Sequence, residues 1–185
     1  MITYKGKIEI TSYFSDDMQR RYFLKRKYLS NRKTLKMNEG KLCFILINPS
    51  YADELLFDKS NMIASNIGIK EGYNEVVILN MYSLITKDKK SLIKKLDIAS
   101  DALNDQTILR ECKSADKIIL AWGIDVQFKE RKNKILSLLK KQAMQNKLYS
   151  IEYVSKKKKV YNPAHLSRYL SDNPYNFKIK PYTLD

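Results

Sequence analysis

Residues 42–50 read Leu-Cys-Phe-Ile-Leu-Ile-Asn-Pro-Ser, an apolar run that ends at an Asn-Pro turn. An uninterrupted apolar run of this kind predicts a strand that is buried on both faces of a sheet. Proline fixes its own φ and favours an extended conformation in the residue before it, so Asn48 is held at the end of this strand. We therefore expect Asn48 to face a pocket at this edge of the sheet.

Further apolar runs and helical spacings follow this strand in alternation. We expect the other strands at 75–79, 117–121 and 148–154, and helices at 60–69, 97–112 and 128–147. Apolar strands that alternate with helices predict a three-layer α/β/α domain with a central, mostly parallel four-stranded sheet. Ligands of such sheets bind beyond the carboxyl ends of the strands. Four distinctive positions fall at those ends: Asn48, Asn80, Trp122 and Asn162.

The chain before this pattern is basic and less regular. Residues 8–10 predict a short strand, and residues 16–28 predict a basic helix or arm. We find no internal repeat and no linker, so residues 1–185 are interpreted as one domain on which residues 1–40 pack as a basic N-terminal extension.

The formal charge of +15 predicts an anionic partner, which is a nucleic acid, a membrane surface or an acidic protein. A Lys-rich composition bias and solvated lysine turns at 87–90 and 156–159 are the alternatives. Two cysteines, Cys43 and Cys112, read as buried thiols in a reducing compartment. With a single His and no apolar run near the roughly 20 residues that span a bilayer, we expect a cytoplasmic protein without a metal, a cofactor or a membrane contact.

Four segments carry a resemblance to a known family: Asn48-Pro49, Val77-Ile78-Leu79-Asn80, Ile119-Leu120-Ala121-Trp122-Gly123, and Asn162-Pro163-Ala164-His165-Leu166-Ser167. In order and spacing, residues 42–170 resemble the uracil-DNA glycosylase superfamily. More closely, they resemble a bacterial branch catalogued as domain-of-unknown-function family 1643, which includes glycosylase-like proteins of staphylococcal cassette elements. The implied fold is uracil-DNA glycosylase-like.

The resemblance implies roles for the residues at the strand ends. Asn48 takes the position that activates water, and Asn80 takes the position that reads the uracil edge, although Asn80 could instead cap a turn. Ser50 replaces a Tyr that blocks the thymine methyl group, so discrimination against 5-substituted pyrimidines should be weak. Either Tyr51 or Phe57 could stack on the base.

The last motif implies the catalytic His position at Asn162 and a base-flipping wedge at Leu166. Ser167, Arg168 and Tyr169 would contact DNA or a partner. His165 falls beside the catalytic position, and we interpret it as a loop residue at the same contact surface.

Amides at both catalytic positions predict slow or absent chemistry, because an amide cannot act as a general base. The first hypothesis is therefore a pseudo-enzyme related to DNA repair. It would bind single-stranded or uracil-containing DNA, an acidic DNA-mimic glycosylase inhibitor protein, or both. The alternative is a slow mismatch-type uracil-DNA glycosylase that hydrolyses the N-glycosidic bond. A general nucleotide-binding protein is less favoured, because the chain has only 5 glycines and no Gly-rich phosphate loop.

Overall fold

A computed structural model of the chain describes residues 3–32, 37–51, 55–155, 157–166 and 177–184. The strands in these segments are β1 (Gly6–Phe14), β2 (Arg21–Ser30), β3 (Asn38–Leu46), β4 (Tyr73–Asn80), β5 (Lys117–Leu120), β6 (Leu148–Val154), β7 (Val160–Tyr161) and β8 (Lys178–Pro181). The α-helices are α1 (Lys59–Lys70), α2 (Lys89–Ile93), α3 (Ala102–Lys113) and α4 (Lys129–Lys141). Short 3-10 turns at Val126–Phe128 and Gln145–Lys147 precede α4 and β6.

All eight of these strands belong to one mixed sheet with the order β1-β2-β4-β3-β5-β6-β7, and β8 also pairs with β6. The pairs β4–β3, β3–β5 and β5–β6 are parallel. The pairs β1–β2, β2–β4, β6–β7 and β6–β8 are antiparallel. The prediction of a central, mostly parallel four-stranded sheet is therefore wrong. The predicted strands are present, but antiparallel strands cover both edges that a four-stranded sheet would leave unpaired.

The prediction of a helix or arm at residues 16–28 is also wrong, since most of that segment is β2. The alternation of apolar and polar residues that marks a strand is interrupted here, because the consecutive basic residues Lys25, Arg26 and Lys27 lie on both faces of β2. Tyr22 and Leu24 are buried, and Arg26 is buried with them. Pairing with β4, through Phe23 opposite Leu79, fixes this strand in the sheet.

The apolar run of β3 is continuous because both faces of the sheet are covered. Cys43 and Ile45 face one core, which contains Ile108 of α3 and Ile135 of α4. The alternate residues Leu42 and Phe44 face a second core, which contains the apolar side of α1. The helix α1 approaches the sheet closely at Gly68, where a Cβ atom would lie 2.2 Å from Cγ2 of Val76. In the described segments no helix combines the length and apolar character needed to cross a membrane.

Candidate functional site

A cavity of about 280 Å³ opens at the carboxyl ends of β3 and β4. The sheet supplies its floor, while the turn after β3, the start of α1 and the turn before α2 supply its walls. Its lining residues are Arg21, Leu46, Asn48, Ser50, Asp58, Lys59, Ser60, Asn80, Thr86, Lys87, Asp88, Lys89 and His165. This is the edge at which ligands of parallel strands bind.

Asn80 is the last residue of β4. Its backbone carbonyl is hydrogen-bonded, whereas its side-chain amide has no partner among the described residues. Asn104 donates from Nδ2 to the carbonyl of Asn80 at 3.3 Å and to that of Met81 at 2.9 Å, and Arg131 donates from Nε to Met81 at 2.7 Å. The Asn80 side chain is only 1% exposed, yet neither its Oδ1 nor its Nδ2 has a hydrogen-bond partner among the described residues. Buried polar groups are nearly always paired, so this amide is positioned for a ligand or ordered water.

Asn48 presents a different group to the cavity. Its Nδ2 donates to the carbonyl of Pro49 and to Oγ1 of Thr86, both at 2.9 Å. Thr86 uses its own hydroxyl hydrogen toward the carbonyl of Asp88, at 3.2 Å, so its Oγ1 must accept from Asn48. Both amide hydrogens of Asn48 are therefore engaged, and Oδ1 is the atom that remains to accept from a ligand or a water.

Two carboxylates line the cavity, and both cap helices. Asp58 accepts from the backbone N–H of Asn61 at 2.7 Å and from the hydroxyl of Ser50. Asp88 accepts from the backbone N–H of Ser91 at 2.8 Å, and this bond holds the pKa of Asp88 below its ordinary value. These contacts anchor the start of α1 and of α2. The cavity carboxylates therefore have structural partners already.

Basic side chains outnumber acidic ones around the cavity. Arg21, Lys59, Lys87 and Lys89 face two aspartates in the same lining. Arg21 is 1% exposed, and Lys89 is held by Asp125 through an Nζ–Oδ1 contact of 2.7 Å. The lining of the cavity as a whole therefore carries more positive than negative charge, which suits an anionic ligand.

Residues 21–165 match a family model described as a protein of unknown function, DUF1643. The chain belongs to this DUF1643 family. The matched region begins at Arg21 and ends at His165, and both residues line the cavity. No protein among those with curated descriptions matches the chain.

The DUF1643 domain brings four of the predicted site residues together: Asn48, Ser50, Asn80 and His165. Asn162 is not among them, because it lines a second cavity of about 270 Å³ beside Trp122 and Gly123. His165 packs on Gly123, where a Cβ atom would lie 3.3 Å from the Cβ of His165. Gly123 adopts a φ of +74°, which favours glycine. His165, rather than Asn162, therefore lines the same cavity as Asn48 and Asn80.

Leu166 is not available as an exposed wedge, since its side chain is fully buried in the core beneath α1. A wedge must reach the base stack, and Leu166 would have to leave the core to do so. Ser167, Arg168 and Tyr169 lie outside the described residues. Tyr51 is 70% exposed and Phe57 is 48% exposed. Both flank the mouth in sequence, but neither lines the cavity.

Several lining residues of the DUF1643 domain were not predicted as site residues: Arg21, Asp58, Thr86, Lys87, Asp88 and Lys89. The aspartates carry a signal that could have found them, because each directly precedes a helix on the cavity side. Arg21 has no local signal, since only the pairing of β2 with β4 brings it to the cavity. In the described parts of the chain, no group of three or more His, Cys, Asp or Glu side chains could hold a metal ion.

Proposed function

We propose that this DUF1643 protein binds single-stranded or locally opened DNA and takes one base, with uracil as the best fit, into the cavity between Asn48 and Asn80. Cleavage of the N-glycosidic bond is weak or absent. The resemblance of the strand-end motifs to uracil-DNA glycosylases supports this proposal, as does the formal charge of +15.

The buried amide of Asn80 carries the proposal. A carboxamide offers one acceptor and a donor side by side, which complements the N3–H and O4 of uracil. Because both groups are buried and without partners among the described residues, a base that pairs with them would remove an existing desolvation cost. The clamped backbone keeps the amide in place before the base arrives, so little freedom is lost on binding.

The size and charge of the cavity support the same ligand class. Its volume of about 280 Å³ lies just below the range of roughly 300–1,000 Å³ for small-molecule pockets, which suits one ring system rather than a whole dinucleotide. Lys59 and Lys87 stand at the mouth, where the phosphates on either side of an inserted base would pass. Lysine contacts of this kind supply affinity without sequence preference.

The chemistry around Asn48 supports weak cleavage. Its amide does not titrate, and its two hydrogens are held by Pro49 and Thr86, so it can orient a water only through Oδ1. Losing general-base function lowers a rate by roughly 10²–10⁴. Asp58 is already bonded to Ser50 and Asn61 and is not free to replace that base without breaking the cap of α1.

A slow glycosylase is the second candidate, and His165 favours it. A histidine at the cavity wall could donate to the O2 of a leaving uracil, which is a stabilisation that Asn162 cannot supply from the neighbouring cavity. The two candidates share the base pocket and differ only in whether the bond breaks.

The binding test uses labelled single-stranded oligonucleotides that are identical except for one central uracil or abasic site. We expect the protein to prefer uracil roughly 5- to 150-fold, the equivalent of about 1–3 kcal/mol for a bidentate amide–base contact. Asn80→Ala should remove this preference, while Asn133→Ala, which deletes an exposed amide on α4, should keep it. A preference that survives in Asn80→Ala would contradict the proposal.

The cleavage test follows base release from the same uracil oligonucleotide and from a G·U duplex. Absent release supports a binding protein, and release that is lost in both Asn48→Ala and His165→Ala supports the slow enzyme. An acidic DNA-mimic protein would compete at the same basic mouth. Its binding should fall with salt and should be indifferent to Asn80→Ala, which separates protein capture from base recognition.

A further inference from the structure

Arg26 is a buried cation without a hydrogen-bond acceptor in the described part of the chain. It lies on β2 and is 1% exposed, and Nε, Nη1 and Nη2 all lack a hydrogen-bond partner among the described residues. A guanidinium carries five N–H donors, so a whole fork of donors is unused. Buried charges are ordinarily paired, because an unpaired one loses its hydration without compensation.

The surroundings of Arg26 contain further polar groups that lack hydrogen-bond partners among the described residues. The alternation of β2 directs Arg26 to the same face as Leu24 and Tyr28, against α1. In the first turn of that helix, Asn61 is 1% exposed and its Nδ2 is also unpartnered among the described residues. Burial raises the pKa of Tyr28, so its hydroxyl stays neutral and supplies no anionic partner for the guanidinium. The start of α1 adds the positive end of a helix dipole.

Burial lowers the pKa of Arg26, and the nearby carboxylate of Asp58 opposes this shift only in part. Asp58 accepts hydrogen bonds from Ser50 and from the backbone of Asn61, and none from the guanidinium. The guanidinium instead contacts the ring of Phe57, whose centroid lies 4.0 Å from Cζ of Arg26. An aromatic ring stabilises a positive charge but offers no lone pair. Phe57 is itself 48% exposed, so its ring stands between the guanidinium and solvent.

We propose that Arg26, with Asn61 and the start of α1, forms a phosphoryl-oxyanion site that opens when the Phe57 ring turns aside. A phosphate supplies the acceptors that the planar fork of Arg26 lacks, in the bidentate geometry that arginine favours. The site adjoins the base cavity, because Phe57 directly precedes the cavity residue Asp58. That the phosphate belongs to a DNA strand rests on the proposed function, whereas the oxyanion site itself does not.

The first test measures the thermal midpoint of the full chain in sodium phosphate and in sodium chloride at equal ionic strength. We expect phosphate to raise the midpoint of the wild type, and Arg26→Met to lose this rise. Arg110→Met is the matched control, because Arg110 also faces a phenylalanine ring, with Cζ 5.9 Å from Phe23, but lies on α3 against the other core. An equal response in all three proteins, or no response in the wild type, would overturn the proposal.

The second test distinguishes the source of the phosphate. It measures the salt dependence of binding to a single-stranded oligonucleotide without uracil, so that it does not involve Asn80. Removing one phosphate-binding side chain should reduce the slope of log K against log salt by about 0.7 in Arg26→Met, with no change in Arg110→Met. An unchanged slope together with a lost phosphate response assigns the site to free phosphate.

Phe57→Ala provides a variant that keeps Arg26. Removing the ring should uncover the guanidinium and shift the phosphate response to lower concentrations. If Arg26→Met does not fold, an unchanged response in Phe57→Ala would overturn the proposal. Failure of the base pocket is seen separately, as a uracil preference that persists in Asn80→Ala.

Discussion

The polar side chains at the two ends of the parallel strands differ in whether they have partners. At the amino ends, Lys41 of β3 contacts Glu111 of α3 at 2.6 Å between Nζ and Oε2. Glu75 of β4 and Lys25 of β2 complete the group, with Nζ–Oε contacts of 3.6–3.8 Å. At the carboxyl ends, Asn80 is more deeply buried, at 1% exposed, and its side-chain amide has no partner among the described residues.

This difference separates structure from function at the two ends of one sheet. The charges at the amino ends neutralise each other, so they require no ligand. Their contacts link β2, β3, β4 and α3. At the carboxyl ends, a hydrogen bond from Asn104 holds the backbone of Asn80, while the side-chain amide of Asn80 has no partner among the described residues. Buried polar groups that stay unpaired weaken a fold unless a ligand completes them, and the carboxyl ends are therefore where we place binding.

The largest expected effect comes from Glu111→Ala, which removes the closest carboxylate of Lys41 and leaves Lys41 and Lys25 with the longer contacts to Glu75. Removing one partner of a buried ion pair costs about 3 kcal/mol, because the remaining charge stays partly dehydrated. Urea denaturation should show this loss as a lower midpoint with an unchanged slope. DNA binding measured well below the midpoint should not change.

The control for Glu111→Ala is Glu9→Gln, which breaks the Lys7–Glu9 pair. That pair is almost as short, at 2.7 Å, but its side chains are 67% and 48% exposed, against 12% and 8% for Lys41 and Glu111. Exposed pairs contribute little, so the midpoint should stay where it is. Equal losses in the two variants would mean that burial does not distinguish the amino-end cluster from a surface pair.

The amino-end cluster should also give the protein a pH dependence. Burial raises the pKa of Glu111, but the hydrogen bond and charge of Lys41, together with Arg110 and Lys25, outweigh it and leave the pKa below its ordinary value. A carboxyl whose pKa is lower in the folded state contributes stability that is fully present above its unfolded pKa of about 4.3 and is lost as the pH falls below it. Urea denaturation at several pH values between 6 and 3 checks this. The free energy of unfolding should fall less with decreasing pH in Glu111→Gln than in the wild type, because the variant has no carboxyl to protonate at this position.

A smaller effect on stability is expected from replacing either of two buried asparagines near the carboxyl ends of the strands, Asn104 and Asn80. Asn104→Ala removes the donor to two backbone carbonyls and should lower the free energy of unfolding by about 1–3 kcal/mol, with weaker uracil preference because Asn80 loses its clamp. Asn80→Ala removes an amide without partners among the described residues and should change stability by less than about 1 kcal/mol. Urea denaturation measures both changes. Equal destabilisation would contradict the assignment of a structural role to Asn104 and a ligand-binding role to Asn80.

The smallest expected effect belongs to the rim of the cavity. Lys87→Gln should reduce the salt slope of single-stranded DNA binding by about 0.7 for each phosphate that the side chain no longer neutralises, without changing the uracil preference. Lys141→Gln removes the same charge from the last turn of α4, outside the cavity, and should leave the slope unchanged. Anisotropy titrations at several salt concentrations measure both. Equal slopes in the two variants would place the phosphate path elsewhere.

Local sequence pattern was enough to predict part of this site. The apolar run before Asn48 and the run before Asn80 identify two strands and their ends, because consecutive apolar residues require burial on both faces. Neighbouring parallel strands end at the same edge of the sheet, so the meeting of Asn48 and Asn80 follows from their positions. Ser50 was predicted beside the base only from the resemblance to the glycosylases, and it lines the same cavity.

Other parts of the site depend on pairings between distant segments. The chain around Arg21 and Arg26 gives no local indication of a strand, because the charges of β2 obscure its alternation and its partner β4 lies far along the chain. The second Asn-Pro turn shows the same limit. Its residues were foreseen near a pocket, but packing turned His165 toward the Asn48 cavity, Asn162 toward the neighbouring one and Leu166 into the core.

The sequence by itself determined which strands are buried on both faces and which polar residues end them, since both follow from side-chain periodicity within a few residues. Only the tertiary structure decided that antiparallel strands extend the sheet at both edges, that His165 lines the same cavity as Asn80, and that Arg26 is buried against the ring of Phe57. These outcomes depend on the packing of segments that are far apart in the chain, where the free energy of burying one face against another outweighs local preference.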